Sequence, residues 1–274
     1  MKKYLLSIVV ATLLTGCTND TPVSENNNNT IKTEDLVPSI DYTLVKTTPH
    51  DSLAYTEGLL FHNGVLYEST GSPESNPDLR SILGTVDMKT GKLEKKAELN
   101  HNQYFGEGIV ILNEKIYQLT YKNQTGFVYD LKTFKQTGTF TYKNKEGWGM
   151  TTDGKQIIMS DGTNMLTYLD PNTLKPSKTL NVTNGGYSED NLNELEYIKG
   201  YIYANIWTKN YVVKIDPETG KVVGLLDLSS IADNAHQRNP NVDVLNGIAY
   251  DPLTDKIYVT GKLYRDLYEI EFPH

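Results

Sequence analysis

Glu107 is the residue of this sequence best placed to move protons. It lies in the segment Tyr-Phe-Gly-Glu-Gly-Ile-Val (104–110), where an aromatic residue and two glycines surround it and an apolar strand follows. Glycine allows other parts of the backbone to approach closely. A carboxylate among such neighbours is partly desolvated, and desolvation raises its pKa toward the range useful for proton transfer. The same segment also fits an ordinary loop glutamate beside a turn, so its interpretation depends on the rest of the chain.

Five segments of the chain share one layout and predict which elements hold Glu107. Each begins with a polar or aromatic anchor residue and continues as an apolar strand, a hairpin turn and a second strand. A third strand, usually ending in Asp-x-x-Thr, and a fourth strand follow. The anchors recur at intervals of 41 to 53 residues, at Glu57, Glu107, Trp148, Asn193 and Asn246. Four short strands at this period predict one propeller blade per segment.

The repeat therefore predicts an all-β fold, a five-bladed β-propeller. Its last unit has only three strands, while residues 41–47 read as a strand without a unit. We expect this N-terminal strand to close the last blade, because an open ring leaves a sheet edge unpaired. A short helical turn is expected over 229–235. Third strands are expected over 85–90, 127–133, 166–173 and 212–219.

A propeller brings the five anchors together. The first strand of each blade lines the axis, so the anchors should surround one mouth of the central channel, and convergent polar groups in a pocket indicate a binding site. Second strands should end near the same rim, at Tyr121, Trp207 and Lys262 among others. Packing between blades also explains Trp207, and a solvated turn also explains Lys262.

The first 17 residues predict a lipoprotein signal peptide. A basic start and an apolar run too short to span a bilayer precede Leu-Thr-Gly-Cys (14–17), which matches the bacterial lipoprotein cleavage box. Cys17, the predicted lipidation site, is the only cysteine; the alternative is an ordinary secretory signal with a chance cysteine. Residues 18–39 are polar and predict a disordered tether, and residues 40–274 the propeller domain. This organisation predicts export to the bacterial cell envelope and a lipid anchor as the contact with the membrane.

Composition narrows the class of protein further. The formal net charge of -8 argues against nucleic-acid binding, which requires a basic surface. The 19 tyrosines and 21 glycines suit strands and tight turns. We expect a monomer.

Nine motifs, in order from about residue 40 to the C-terminus, resemble those of one enzyme family. They include Phe-Gly-Glu-Gly-Ile (105–109), Gly-Trp-Gly-Met-Thr-Thr-Asp-Gly (147–154), Leu-Asn-Glu-Leu-Glu-Tyr (192–197) and Val-Leu-Asn-Gly-Ile-Ala-Tyr-Asp (244–251). The family is that of the plant-type glutaminyl-peptide cyclotransferases and their bacterial relatives. The resemblance implies a five-bladed propeller that converts the N-terminal glutamine of a peptide or protein to pyroglutamate, releases ammonia, and uses no cofactor or catalytic metal.

The resemblance also implies a role for individual residues. The family's essential glutamate falls on Glu107, and its polar contacts fall on Asn193 and Lys262. Its aromatic lining falls on Tyr55, Phe105, Trp148 and Trp207.

Two substrate-contacting positions depart from the family pattern. Glu57 stands where the family usually has Gln, and Tyr121 where it usually has Trp. A second carboxylate near Glu107 would raise one of the two pKa values, because two close carboxylates do not both ionise readily.

Two other functions fit the same ring. One is a calcium-dependent lactonase, in which Glu57, Glu107, Asn193 and Asn246 would supply oxygen ligands. Trp148 and Lys262 argue against a cation there. The other is a non-catalytic surface lipoprotein that binds peptides or glycans at its aromatic mouth.

Overall fold

The computed structural model describes residues 36–274, which form a five-bladed β-propeller. Each blade is a four-stranded antiparallel sheet, and the first strands of neighbouring blades contact one another around the axis. From the axis outward, blade 1 consists of β2–β5 (Thr56–His62, Val65–Thr70, Ile82–Val86, Leu93–Glu98), and blade 2 consists of β6–β9 (Gly106–Leu112, Lys115–Thr120, Thr125–Asp130, Gln136–Thr141). Blade 3 consists of β10–β13 (Met150–Thr152, Ile157–Met159, Met165–Leu169, Pro176–Asn181), and blade 4 consists of β16–β19 (Leu192–Ile198, Tyr201–Ile206, Tyr211–Ile215, Val222–Asp227).

Blade 5 combines strands from both ends of the described chain. It contains β20–β22 (Leu245–Asp251, Lys256–Gly261, Asp266–Glu271), and β1 (Thr43–Pro49) pairs antiparallel with β22 as its outer strand. Residues 38–40 lie against the outer strand of blade 4, where the Ile40 N–H donates to the Leu225 carbonyl at 2.7 Å.

Two small elements connect blades. The hairpin of β14 and β15 (Thr183–Asn184, Tyr187–Ser188) follows blade 3, and α1 (Ser229–Arg238) joins blades 4 and 5. The helix is longer than the single turn predicted. Within residues 36–274, no helix is long and apolar enough to cross a membrane. The predicted signal peptide, Cys17 and most of the tether lie outside the described residues.

The third strands end earlier than the sequence predicted, because the Asp-x-x-Thr motif forms a turn. Asp130 Oδ1 accepts hydrogen bonds from the Thr133 N–H at 2.8 Å and from its hydroxyl at 2.7 Å. Asp170 and Thr173 repeat the pattern at 2.8 and 3.1 Å. The motif therefore turns the chain into the fourth strand instead of extending the third.

Glycine follows the anchor in four blades, because neighbouring blades approach most closely there. A Cβ on Gly108 would lie 2.5 Å from the Trp148 carbonyl oxygen, and one on Gly149 would lie 2.1 Å from the Asn193 carbonyl oxygen. Any side chain would push the inner strands apart.

Blade 4 carries Glu194 at this position, and its side chain crosses the axis. The carboxyl group accepts hydrogen bonds from the backbone N–H groups of Leu59 at 3.2 Å and Ile248 at 2.8 Å, in blades 1 and 5. Burial, followed by the charge of Glu196, raises the pKa of Glu194 well above its usual value. The axis just below the ring of anchors is therefore filled by protein.

Apolar side chains fill the space between blades. Ile158 and Leu166 of blade 3, for example, pack with Leu195 and Val213 of blade 4, and all four are fully buried. This packing fixes the blades that carry the anchors.

Candidate active site

One cavity of about 1340 Å³ lies at the end of the axis where the first strands begin. All nine site residues predicted from the sequence line it: Tyr55, Glu57, Phe105, Glu107, Tyr121, Trp148, Asn193, Trp207 and Lys262. The fifth anchor, Asn246, is buried but does not line the cavity; its Nδ2 donates to the Thr56 carbonyl at 3.0 Å and contacts Glu57 Oε2 at 3.4 Å. Four of the five anchors therefore line the cavity as expected, whereas Asn246 does not and instead contacts Glu57.

Breaks in strand register turn four of the anchors out of their sheets. In each case the pairing of the first and second strands shifts around the anchor, as in a β-bulge, which commonly redirects a side chain beside an active site. The shifts lie between Thr56 and Gly58, Gly106 and Ile109, Leu192 and Leu195, and Leu245 and Ile248.

The residue after the second strand is held at the rim by one backbone hydrogen bond that recurs in four blades. Its N–H donates to the carbonyl of the residue two positions before the anchor, at 2.8 to 3.0 Å. The donor and acceptor pairs are Gly71 with Tyr55, Tyr121 with Phe105, Trp207 with Asn191, and Lys262 with Val244. Tyr121, Trp207 and Lys262 thus occupy equivalent positions around the mouth.

Glycines at the rims of blades 1 and 3 make room for an aromatic wall. A Cβ on Gly71 would lie 2.2 Å from the Phe105 ring, and one on Gly162 would lie 2.6 Å from the Trp148 indole. Both glycines are needed for their neighbouring rings to reach the cavity.

Five aromatic rings form a continuous arc along this wall. Their centroids are separated by 6.2, 5.8, 6.5 and 5.7 Å in edge-to-face or tilted contacts, in the order Tyr55, Phe105, Tyr121, Trp148 and Trp207. Such contacts hold aromatic rings in defined orientations. Lys262 Nζ lies 4.7 Å from the Tyr55 centroid and continues the arc on blade 5.

Glu57, Glu107 and Lys262 form the charged centre of the site. Lys262 Nζ lies 2.7 Å from Glu57 Oε1, and both side chains are almost fully buried. The Glu107 carboxyl group lies close enough to Glu57 for the two charges to interact. The Lys262 ammonium favours the ionised form of Glu57, so Glu107 is the carboxyl group of the pair that takes up a proton more readily.

Burial is the main cause of the raised pKa values of both carboxyl groups. The pKa of Glu57 is raised by burial and partly lowered by Lys262. For Glu107, burial and then the negative charge of Glu57 raise the pKa well above its usual value, again opposed by Lys262. Glu107 therefore has the raised pKa predicted from its sequence context.

A buried ion pair fixes the two segments that carry Glu57 and Lys262. His50 Nε2 lies 3.2 Å from Glu68 Oε2, and His50 Nδ1 donates to the Tyr264 carbonyl at 3.0 Å. The Thr56 hydroxyl donates to Glu68 Oε1 at 2.7 Å. Burial alone would lower the pKa of His50, but the charge of Glu68 and its hydrogen bond raise it above the usual value. The pair thus links the residue before Glu57 to a residue just after Lys262.

Sequence reasoning missed two acidic partners of the aromatic arc. The Tyr55 hydroxyl donates to Asp243 Oδ2 at 2.6 Å, and the Trp148 indole N–H donates to Glu146 Oε2 at 2.9 Å. The indole of Trp148 is therefore already engaged. Glu146, like Asn191, lies two residues before its anchor, the position that Tyr55 and Phe105 occupy in blades 1 and 2. An alignment of the repeats could have identified Glu146 and Asn191 as residues that line the cavity.

Asn193 has an unused polar atom at the cavity. The residue is 3% exposed, and among residues 36–274 its Oδ1 has no hydrogen-bond partner. A buried acceptor without a partner is costly, which is explained if a ligand supplies the missing donor.

Fold and site together define a five-bladed propeller with a blind acidic and aromatic pocket at one end of its axis. The sequence profile of the glutamine cyclotransferase family matches residues 9–272. The glutaminyl-peptide cyclotransferase of Arabidopsis thaliana is 39% identical over 230 residues, which are 83% of this chain and 70% of that protein. The crystal structure of Myxococcus xanthus glutaminyl cyclase matches with a TM-score of 0.78 and 32% identity, covering 86% of this chain and 98% of that one. The protein belongs to the glutamine cyclotransferase family.

Proposed function

We propose that this pocket converts the N-terminal glutamine of peptides or proteins to pyroglutamate, with release of ammonia, and that Glu107 transfers the protons. The observation that carries the proposal is the Glu107 carboxyl group, buried with a raised pKa beside an aromatic arc in a cavity large enough for a peptide end. Family membership supports the same reaction.

The reaction requires a bent substrate and two proton movements. The α-amine attacks the carbon of the side-chain amide, a C–N bond forms in a five-membered ring, and the bond to the amide nitrogen breaks. Glu107 accepts a proton from the α-amine and delivers one to the departing nitrogen, which leaves as ammonia. An α-amine has a pKa of about 7.7–8.0, so raising the pKa of Glu107 toward that range lowers the cost of moving the proton in either direction.

The neighbouring side chains position the substrate for this attack. The aromatic arc holds the glutaminyl side chain in the conformer from which the ring closes. Asn193 Oδ1 accepts a hydrogen bond from the substrate amide or amine, which supplies its missing partner. Lys262 and the Asn193 amide group are the donors available for the developing oxyanion, since Glu146 already accepts from the Trp148 indole.

The calcium-dependent alternative is less compatible with the charged centre. The Lys262 ammonium lies 2.7 Å from Glu57, in the place where a metal bound by that carboxylate would lie. Two like charges at this distance repel each other strongly in a buried site.

Ammonia release from a glutamine-initiated dipeptide, with and without a chelator, tests the proposed function. We expect release that is unaffected by the chelator. Loss on chelation and recovery with calcium would favour the lactonase-like alternative. Binding of the dipeptide without ammonia release would favour the non-catalytic alternative.

Glu57→Gln is expected to move the acidic limb of the kcat/KM profile to lower pH, with activity at the optimum remaining of the wild-type order. Glu57 raises the pKa of Glu107, so removing its charge lowers that pKa and keeps Glu107 able to accept a proton at lower pH. The amide oxygen of the introduced glutamine can still accept from Lys262. The profile is compared with that of Glu74→Gln, a carboxylate change on the exposed rim of the cavity. An unchanged acidic limb would mean that the two carboxyl groups are not coupled.

We further propose that the mature protein is exported and anchored to the bacterial cell envelope by a lipid on Cys17. The support is the cleavage box at 14–17 and the polar segment that follows it. Cys17→Ser should give a folded, active protein that no longer partitions with membranes, measured by fractionation beside the wild type. A variant that remained in the membrane fraction would contradict the anchor.

A further inference from the structure

The cavity is larger than cyclisation of one glutamine requires. Its volume of about 1340 Å³ exceeds the ~300–1,000 Å³ of typical small-ligand pockets. Its lining continues beyond the aromatic arc, through Thr163, to Met165 and Thr167 on β12 and to Pro176 and Thr179 on β13, the third and fourth strands of blade 3. We call this outward extension, between blades 2 and 3, the exit groove.

The exit groove has the length of a short peptide. Neighbouring strands are ~4.8 Å apart, so the fourth strand of blade 3 lies ~14 Å farther from the axis than the first. An extended chain advances ~3.3–3.6 Å per residue. About four residues after the glutamine can therefore lie in the groove.

Polar side chains of the groove already bond to one another and form a fixed floor. Asn144 Nδ2 donates to Asp161 Oδ2 at 2.8 Å and to the Thr167 hydroxyl at 3.1 Å, and Asp161 Oδ1 accepts from the Thr163 hydroxyl at 2.6 Å. The charge of Asp161 is thus stabilised within the floor. Glu146 accepts from the Trp148 indole and lies 3.9 Å from Lys122.

Two lysines lie on the wall of the exit groove. Lys143 and Lys145 lie in the connection from the outer strand of blade 2 to Trp148, and both are exposed and line the cavity. Among residues 36–274, no carboxylate lies within 4.0 Å of either ammonium group. The exposed Glu74 also lines the cavity, but it follows the second strand of blade 1, away from the groove. With Lys122, the groove carries three lysines against the carboxylates of Glu146 and Asp161, so its net charge is positive.

We propose that the substrate chain leaves the pocket through the exit groove, and that Lys143 and Lys145 select acidic side chains within about four residues after the N-terminal glutamine. This inference rests on the proposed function. The preferred substrates are then peptides or proteins in which acidic residues closely follow the N-terminal glutamine.

The test compares Gln-Ala-Ala-Glu-Glu-Ala, Gln-Ala-Ala-Lys-Lys-Ala and the dipeptide Gln-Ala by ammonia release. Exposed ion pairs contribute about 1.4- to 5-fold each, so two should raise kcat/KM for the acidic peptide over the basic one by about 2- to 30-fold. Added salt should reduce the difference, because salt screens exposed charges. In Lys143→Glu/Lys145→Glu the preference should invert, while the dipeptide, which ends before the groove, should change far less.

The matched control is Lys89→Glu/Lys92→Glu, which makes the same charge change in the exposed β4–β5 turn at the opposite end of blade 1. It should retain the acidic preference. Equal rates for the two hexapeptides in the wild type, or an acidic preference that persists in the groove variant, would overturn the proposal.

A binding readout separates this proposal from the proposed function. Trp148 and Trp207 are the only two tryptophans of the chain and both line the cavity, so their fluorescence reports peptide binding without turnover. If no peptide releases ammonia, the proposed function fails. The hexapeptide titrations then still decide the inference: tighter binding of the acidic peptide supports it, and equal binding contradicts it.

Discussion

Glu107→Gln is expected to remain folded, to bind a glutaminyl peptide, and to lose ~10²- to 10⁴-fold in kcat, the usual contribution of a positioned acid or base. The backbone carbonyl of Glu107 accepts a hydrogen bond from the Ser69 hydroxyl at 2.6 Å, which the substitution leaves in place. Glutamine has nearly the same shape as glutamate and carries no charge. It cannot accept and return a proton, so the chemical step is lost while the aromatic arc still binds substrate.

Three measurements on this variant distinguish the possible roles of Glu107. Ammonia release reports turnover, tryptophan fluorescence reports binding, and the melting temperature reports folding. Glu74→Gln provides the control, since it removes a carboxylate from the exposed rim of the same cavity. Partial recovery of the rate by added calcium would indicate a metal ligand, and wild-type turnover in a stable variant would contradict the proton-transfer role.

Lys262→Met is expected to destabilise the fold by about 3–5 kcal/mol at neutral pH, as removal of one partner from a buried ion pair usually does. Glu57 would be left with its charge buried, with Asn246 as its remaining hydrogen-bond donor at 3.4 Å. In the folded variant, protonation of Glu57 removes the buried charge. Near the ordinary glutamate pKa of about 4.3, Glu57 also becomes protonated in the unfolded chain, so folding no longer requires the uptake of a proton. The destabilisation should therefore shrink as the pH falls toward that value, which urea unfolding at two pH values measures.

The double variant Glu57→Gln/Lys262→Met separates the structural role of Lys262 from its catalytic role. It removes both charges, so most of the lost free energy of unfolding should return. If Lys262 also donates to the oxyanion, the double variant should still be slower by about 10²- to 10³-fold in kcat. A single Lys262→Met variant as stable as the wild type would contradict the importance of the ion pair.

The sequence was sufficient to predict the propeller and the ring of anchors because both depend on spacing. The five anchors mark equivalent positions of a repeat, and a propeller turns that equivalence into proximity. Register shifts around Glu57, Glu107 and Asn193 then turn these side chains toward one cavity. Strand ends were less predictable, since the Asp130 turn required knowledge of its hydrogen bonds.

Pairwise partners within the site could not be read from spacing. Lys262 and Glu57 are 205 positions apart and meet only because blade 5 adjoins blade 1. The engagement of Tyr55 by Asp243, 188 positions away, depends on the same adjacency. The sequence predicted that Glu57 lies near Glu107. That the Lys262 ammonium favours the ionised form of Glu57 became evident only from the three-dimensional arrangement.

The most direct test of Glu107-dependent cyclisation is the mass spectrum of a glutamine-initiated peptide after incubation with the wild-type protein, with Glu107→Gln in parallel. We expect the wild type to yield a peptide lighter by one molecule of ammonia, with a pyroglutamyl N-terminus, and the variant to leave the peptide essentially unchanged over the same time. A peptide of unchanged mass with the wild type, or equal conversion by both proteins, would contradict the proposed reaction or the role of Glu107 in it.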